Sequence, residues 1–141
     1  RGVALARKIA MLTYKSDDLL AERHDRKTDR SGQPKFDIEG YLDHQGDKLV
    51  DRMDGATYTL LTHAMDSFDV RGRAAPAGVD LTFVGISSDW LFRPQEIRAA
   101  AKRFNARYLE LESNHGHDAF LADGSKLHAL LAPLLTPTLK L

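Results

Sequence analysis

The sequence predicts an α/β protein whose two halves are built differently. Apolar residues recur at helical spacing through most of residues 1–72. Two mostly apolar runs bounded by turn residues then follow, with a helical pattern between them. Strand, helix and strand fit in about 33 residues, the usual size of a βαβ unit in a parallel sheet. We therefore expect a helical region at 1–72 and the last strands and helices of an α/β core at 73–141.

Four helices are predicted in the first half, and a charged stretch from Glu22 to Pro34 predicts a solvated loop between them. Asp54 and Gly55 are the expected junction between the last two helices. The helices are expected over Gly2 to Tyr14, after the N-cap Ser16 through Leu20, from Ile38 to Met53, and from Leu60 to Phe68.

The second half is expected to contain two buried parallel strands, at Val79 to Ile86 and at Ala106 to Leu111. The helix between them should begin near Pro94 and stop at Asn105. A closing helix is expected over Lys126 to Leu135. Two strands leave sheet edges and faces uncovered, so the sequence predicts further sheet outside these two strands.

Composition excludes several classes of function. The chain has 141 residues, of which 20 are Lys or Arg and 20 are Asp or Glu, so it offers no basic stripe for nucleic acid. Without cysteine it has no disulfide, no thiolate zinc site and no cysteine nucleophile. No apolar run approaches the roughly 20 residues that span a bilayer. We expect a cytoplasmic protein that binds neither nucleic acid nor membrane.

The candidate catalytic residues follow the two predicted strands. Asp89 comes after the first strand and His117 after the second. Neighbouring parallel strands about 4.8 Å apart end at one edge of the sheet, where ligands bind. An acid followed by a histidine is the chain order of a hydrolase triad, in which the acid orients the histidine. We therefore expect an Asp89 oxygen within about 3.2 Å of His117 Nδ1.

Two other interpretations of these residues are open. Asp89 could cap the helix that begins near Pro94, and His117 could cap or pack in the last helix. His115, His117, Asp118 and Asp89 could also supply metal ligands. The His-x-His lies in a loop without the spacing that makes ligands converge, so we predict no metal.

The nucleophile of such a triad is not found in the sequence. No G-x-S-x-G elbow occurs, and Ser87, Ser88 and Ser113 lie in the acid and histidine loops instead of on a strand-to-helix turn. We therefore expect that this chain alone does not catalyse acyl transfer.

Four segments in chain order resemble homoserine O-acetyltransferases. They are GYLDHQGDKLVDRMD at Gly40 to Asp54, YTLLTHAMDSFD at Tyr58 to Asp69, SSDWLF at Ser87 to Phe92 and NHGHDAFL at Asn114 to Leu121. The resemblance covers nearly the whole chain. It implies the C-terminal part of an α/β-hydrolase fold with a helical lid insertion. The implied reaction moves an acetyl group from acetyl-CoA to the hydroxyl of L-homoserine, in methionine biosynthesis.

The resemblance also implies roles for single residues. Asp89 becomes the triad acid, His117 the triad histidine, and Asp118 the residue that holds the amino group of the substrate. The segment ALARKIAMLTY resembles one in which an arginine and a tyrosine line the amino-acid pocket, and these are Arg7 and Tyr14 here. Arg7 would bind the substrate carboxylate; the alternative for it is a solvated surface arginine.

The remaining implications concern the donor and the partners. Relatives that use succinyl-CoA tend to have arginine where this chain has Leu91, so Leu91 favours acetyl-CoA as co-substrate, with no bound cofactor. At the position of Arg93 the family more often has proline, so this chain departs from the family pattern in that loop. The helices from Ile38 to Phe68 would form the lid and pair subunits in a homodimer. A missing N-terminal part would carry the nucleophile and the oxyanion hole.

Three alternatives remain at this point. A sister enzyme could acylate serine or another hydroxylated acceptor, and an esterase of the same fold would use water. A non-catalytic fragment could serve as a dimerisation module through its lid helices. A second polypeptide with a nucleophile elbow would discriminate the enzymes from the fragment.

Overall fold

Helices and a small parallel sheet make up the computed structural model, which describes residues 1–29, 31–32, 34–75 and 77–135. The class is therefore mixed α and β, as predicted. A 3₁₀ turn at Gly116–Asp118 precedes the last two helices. The elements are α1 (Gly2–Tyr14), α2 (Asp17–Arg23), α3 (Asp37–Val50), α4 (Gly55–Ser67), β1 (Thr82–Ile86), α5 (Pro94–Arg103), β2 (Arg107–Leu111), α6 (Ala119–Ala122) and α7 (Gly124–Leu135).

The chain forms two units, each with its own internal contacts. The helical unit comprises Arg1–Thr13 and Leu20–Pro76, and the sheet unit comprises Tyr14–Leu19 and Ala77–Leu141. The segment Tyr14–Leu19 thus groups with residues that begin 58 positions after its end, at Ala77. This grouping was not predicted from the sequence.

Local capping explains where α2 and α4 begin. The Ser16 hydroxyl accepts the Leu19 amide at 3.1 Å, and α2 then continues to Arg23, so the loop predicted from Glu22 begins two residues later. Asp54 accepts the amides of Ala56 and Thr57, each at 2.9 Å, and starts α4 at the predicted junction.

The two strands pair in parallel, from Thr82 opposite Arg107 to Ile86 opposite Leu111. The first strand was predicted from Val79 but begins at Thr82. The reason is that Asn105, with φ 49°, turns the chain into β2 at Arg107, whose amide donates to the Leu81 carbonyl at 3.1 Å, so the residues before Leu81 have no residue of β2 opposite them. This left-handed turn is the predicted stop of α5.

The core of the sheet unit lies against one face of the strands. Ile86, Leu111 and Ala119 are buried together, and Val84, Leu127 and Leu130 pack against them. The closing helix α7 begins at Gly124, two residues before the predicted start, while α6 was not predicted. No helix within the described residues is long and apolar enough to cross a membrane.

Candidate active site

The ends of the two strands bring the candidate residues to one edge of the sheet. Ile86 and Leu111 face each other at the last paired position, and the Ser87 amide donates to the Leu111 carbonyl at 3.0 Å. The Asp89 amide then donates to the Ile86 carbonyl at 3.0 Å, which closes a tight turn directly after β1. Asp89 therefore stays at the strand end and does not project into solvent.

Asp89 and His117 form a hydrogen-bonded pair. Asp89 Oδ2 lies 2.9 Å from His117 Nδ1, the distance expected from the sequence, and the side chains are 3% and 23% exposed. Asp89 Oδ1 accepts the amides of Leu91 and Phe92, each at 2.9 Å. Asp89 does not cap α5, whose N-cap is Arg93. With Nδ1 donating to the carboxylate, Nε2 is left as the acceptor and can take a proton.

Aromatic rings surround the imidazole of His117. The ring centroids of Tyr14, Phe92 and Phe120 lie 5.5, 5.1 and 5.9 Å from that of His117. The histidine borders a cavity of about 210 Å³ whose other lining residues, Asp89 apart, are apolar. In such surroundings charges interact more strongly than they do in water. The cavity residues are Val84, Ile86, Asp89, Phe92, Ile97, Leu111, His117, Phe120 and Leu127.

Serine hydroxyls hold the loop that carries His117. Ser87 Oγ accepts the Ser113 amide and donates to the Ser113 carbonyl, both at 3.0 Å. Ser88 Oγ accepts the Gly116 amide at 2.9 Å. From the sequence, these serines were only excluded as nucleophiles. Their bonds satisfy main-chain groups on the histidine loop and fix its distance from the acid loop.

A second set of bonds ties the same loop to Tyr14–Leu19. Ser16, which is buried, donates its hydroxyl to the Asn114 carbonyl. Gly116 has φ 66°, and a Cβ on it would come within 2.6 Å of the Ser16 nitrogen and 2.7 Å of the Lys15 carbonyl carbon. Glycine is therefore required in the His-Gly-His sequence both by its backbone conformation and by this close approach.

Asp118 already has a cationic partner. Lys15 Nζ lies 2.8 Å from Asp118 Oδ2, and the side chains are 15% and 19% exposed. The Trp90 indole donates to the Lys15 carbonyl at 3.2 Å. Sequence reasoning missed Lys15, although its position next to Tyr14 was a usable signal.

Four of the five residues predicted for the site belong to the sheet unit. Asp89, His117, Asp118 and Tyr14 lie in it, whereas Arg7 is a half-buried residue of the helical unit. Tyr14 reaches this group because α1 ends where the chain enters the sheet unit.

His115 has a different environment from His117. Its Nε2 lies 4.0 Å from Asp123 Oδ1, and the other Asp123 oxygen accepts the Ser113 hydroxyl. That hydrogen bond, with the nearby charges of Lys126 and His115, lowers the pKa of Asp123, against the raising effect of desolvation. Across the described part of the chain, no three His, Asp or Glu side chains are grouped so that they could hold a metal ion.

Comparison with known proteins gives relatives with consistent names. The chain is 40% identical to the homoserine O-acetyltransferase of Moorella thermoacetica, over 96% of this chain and 41% of that protein. It is 42% identical to the homoserine O-acetyltransferase of Nostoc punctiforme, over 93% and 40%. It is 39% identical to the homoserine O-succinyltransferase of Aromatoleum aromaticum, over 94% and 40%.

These similarities cover nearly all of this chain, yet the chain spans only about two fifths of the length of the relatives it matches. No family model matches it.

Proposed function

We propose that this chain, which belongs to the homoserine O-acyltransferase family, is the C-terminal part of an α/β-hydrolase-fold enzyme and supplies the acid and base of its triad. The observation that carries the proposal is the contact of buried Asp89 with His117 Nδ1 at 2.9 Å. The serine nucleophile and the oxyanion hole come from the part of the enzyme outside this chain.

In the first half-reaction the serine attacks the thioester of the acyl-CoA. His117 Nε2 takes the serine proton while Asp89 stabilises the imidazolium through Nδ1. The C–S bond breaks, His117 returns the proton to the CoA thiolate, and an acyl-serine remains. Because Asp89 Oδ1 is occupied by two amides, Oδ2 is the oxygen that stays directed at the histidine.

In the second half-reaction the acceptor hydroxyl replaces the thiol. His117 takes the proton of the homoserine hydroxyl, the oxygen attacks the acyl carbon, and the serine leaves with the proton from His117. Asp118 binds the amino group of homoserine, Arg7 binds its carboxylate and Tyr14 lines the pocket. The aromatic rings around His117 support this role because apolar neighbours strengthen the charge interaction between the imidazolium and Asp89.

Acetyl-CoA is the proposed donor, acting as co-substrate and not as a bound cofactor. Relatives with similar sequence identity to this chain include both homoserine O-acetyltransferases and homoserine O-succinyltransferases. Leu91 supports acetyl, because an apolar side chain offers no partner for the carboxylate of a succinyl group.

The proposal extends to a cytoplasmic homodimer that acts in methionine biosynthesis. The lid helices α3 and α4 would pair the subunits. Support comes from α4, in which no residue is buried, and from its exposed apolar side chains Leu60, Leu61 and Met65.

Substitution in the complete enzyme tests the triad. His117→Gln should abolish nearly all turnover, on the order of 10⁶-fold, and Asp89→Asn should cost on the order of 10⁴. CoA release from acetyl-CoA and from succinyl-CoA, with and without homoserine, measures both half-reactions and the donor. The matched control is His128→Gln, since His128 is exposed on α7. Turnover of His117→Gln within tenfold of the wild type would refute the proposal.

A further inference from the structure

The ion pair of Lys15 and Asp118 joins the two segments that carry Tyr14 and His117. Lys15 follows Tyr14 and Asp118 follows His117, and the rings of Tyr14 and His117 have centroids 5.5 Å apart. The ammonium and carboxylate are 2.8 Å apart and both are largely removed from solvent. Two opposite unit charges therefore lie side by side on the two segments that bring Tyr14 and His117 together.

The main chain of Lys15 is fixed on both sides. Its carbonyl accepts the Trp90 indole at 3.2 Å, and its carbonyl carbon packs so closely on Gly116 that no Cβ would fit there. The backbone of Lys15 is therefore held in place, which restricts the positions that its ammonium group can occupy. A lysine on a solvated surface would not have these contacts with Trp90 and the histidine loop.

We propose that Lys15 is a specificity-determining residue that binds the α-carboxylate of the acceptor while Asp118 binds its α-ammonium group. The inference rests on the proposed function and adds a second cation to the one assigned to Arg7. It defines the acceptor as a zwitterionic α-amino acid that bears a hydroxyl.

Lys15 and Asp118 have enough hydrogen-bond donors and acceptors to bind the zwitterion while they stay paired with each other. An ammonium has three N–H donors and a carboxylate has about four acceptor positions, so each can keep its partner and take one more group. Lys15, Asp118, the substrate ammonium and the substrate carboxylate then form a ring of alternating charges. The pair of Lys15 and Asp118 is neutral and so is the zwitterion, so these two residues gain no uncompensated charge when they bind it.

The test uses the complete enzyme with two acceptors, homoserine and 3-aminopropan-1-ol, which has the same hydroxyl and amino group but no carboxylate. Lys15→Met should raise KM for homoserine on the order of 10- to 100-fold, the usual worth of a charged hydrogen bond. Acyl-enzyme formation and kcat should stay within about twofold. For 3-aminopropan-1-ol, kcat/KM should change by less than about threefold. Lys15→Arg should restore part of the preference for homoserine.

Lys102→Met is the matched control, because Lys102 is exposed on α5 of the same unit. Equal losses for both acceptors in Lys15→Met would mean that Lys15 only supports Asp118, and would overturn the inference. Unchanged kinetics for both acceptors would overturn it as well. If Lys15→Met does not fold, Lys15→Gln takes its place with the same expectations. A wild-type enzyme that forms the acyl-enzyme but never acylates homoserine would instead refute the proposed function itself.

Discussion

The two oxygens of Asp89 have separate partners. Oδ1 accepts the amides of Leu91 and Phe92, and Oδ2 meets His117. An asparagine at this position would have one oxygen for two sets of donors. It must either turn its NH₂ group toward the two amides or donate to Nδ1 and so favour the wrong tautomer. Both results remove the base that we propose for His117, which is why Asp89→Asn is expected to be severe.

Gly116→Ala should destabilise the enzyme. The alanine Cβ would lie 2.6 Å from the Ser16 nitrogen and 2.9 Å from the Tyr14 carbonyl oxygen, and these main-chain atoms cannot rotate away. The positive φ adds strain, so we expect a loss on the order of 1–3 kcal/mol or more in the free energy of unfolding. Urea denaturation of the complete enzyme measures it.

Gly124→Ala is the matched control for this substitution, because nothing lies within 4 Å of a Cβ at Gly124. Equal stability of the two variants would contradict the close approach of Tyr14–Leu19 to the histidine loop.

At the residue scale the sequence was informative about Asp89 and His117 and uninformative about their surroundings. Both follow strands, so sheet geometry alone predicted that they meet. Ser16 and Lys15 contact the histidine loop from about a hundred positions earlier in the chain. No periodicity or turn pattern encodes a contact of that separation between two loops.

At the scale of elements, the predicted helix boundaries were confirmed where the side chain or backbone conformation of a single residue starts or stops the helix. Asp54, Pro94 and Asn105 start or stop helices as expected. The predicted start of β1 was wrong because a strand extends only as far as the neighbouring strand with which it pairs. The short α6 was missed because four residues are too few to show a helical period.

Asp54, which caps the N-terminus of α4, makes the stability of the folded protein depend on pH. Hydrogen bonds from Thr57, first from its amide and then from its hydroxyl, lower the pKa of Asp54 from 3.8. A carboxyl whose folded pKa is depressed stabilises the fold above its unfolded pKa, and that contribution is lost as pH falls through the folded value. Asp54→Asn keeps an oxygen at the cap but cannot titrate.

We therefore expect the melting temperature of the wild-type enzyme to fall more steeply than that of Asp54→Asn as pH drops below 3.8. Thermal melts between neutral and acidic pH measure the difference. Asp66→Asn, an exposed position later in the same helix, should keep the steep wild-type dependence. Parallel curves for the wild type and Asp54→Asn would show that titration of the Asp54 carboxyl does not contribute to the loss of stability in acid.

At the scale of the whole molecule, the chain's two units bury little apolar surface. Within the described residues no large side chain is fully buried, and the buried hydrophobic residues are Met11, Leu19, Leu49, Ile86, Ala101, Leu111 and Ala119. In the sheet unit Val79, Trp90, Phe92, Phe120 and Leu121 are exposed. The helical unit exposes Leu60, Met65 and Phe68. A proposed larger sheet and a paired lid would cover such surfaces.

The last prediction is that this polypeptide, produced alone, does not unfold in one cooperative step. Its sheet consists of two five-residue strands among the described residues, and parallel sheets are stable when both faces and their edges are covered. The core of the sheet unit is built on three buried residues, which is small against the conformational entropy of ordering the chain. Thermal melts followed by circular dichroism should be broad, and a dye that binds exposed apolar surface should fluoresce before heating. Joining the chain to the part proposed to carry the nucleophile should sharpen the transition and reduce the dye signal. A sharp transition of the isolated monomer would mean that the apolar faces described here are stable in water without a partner.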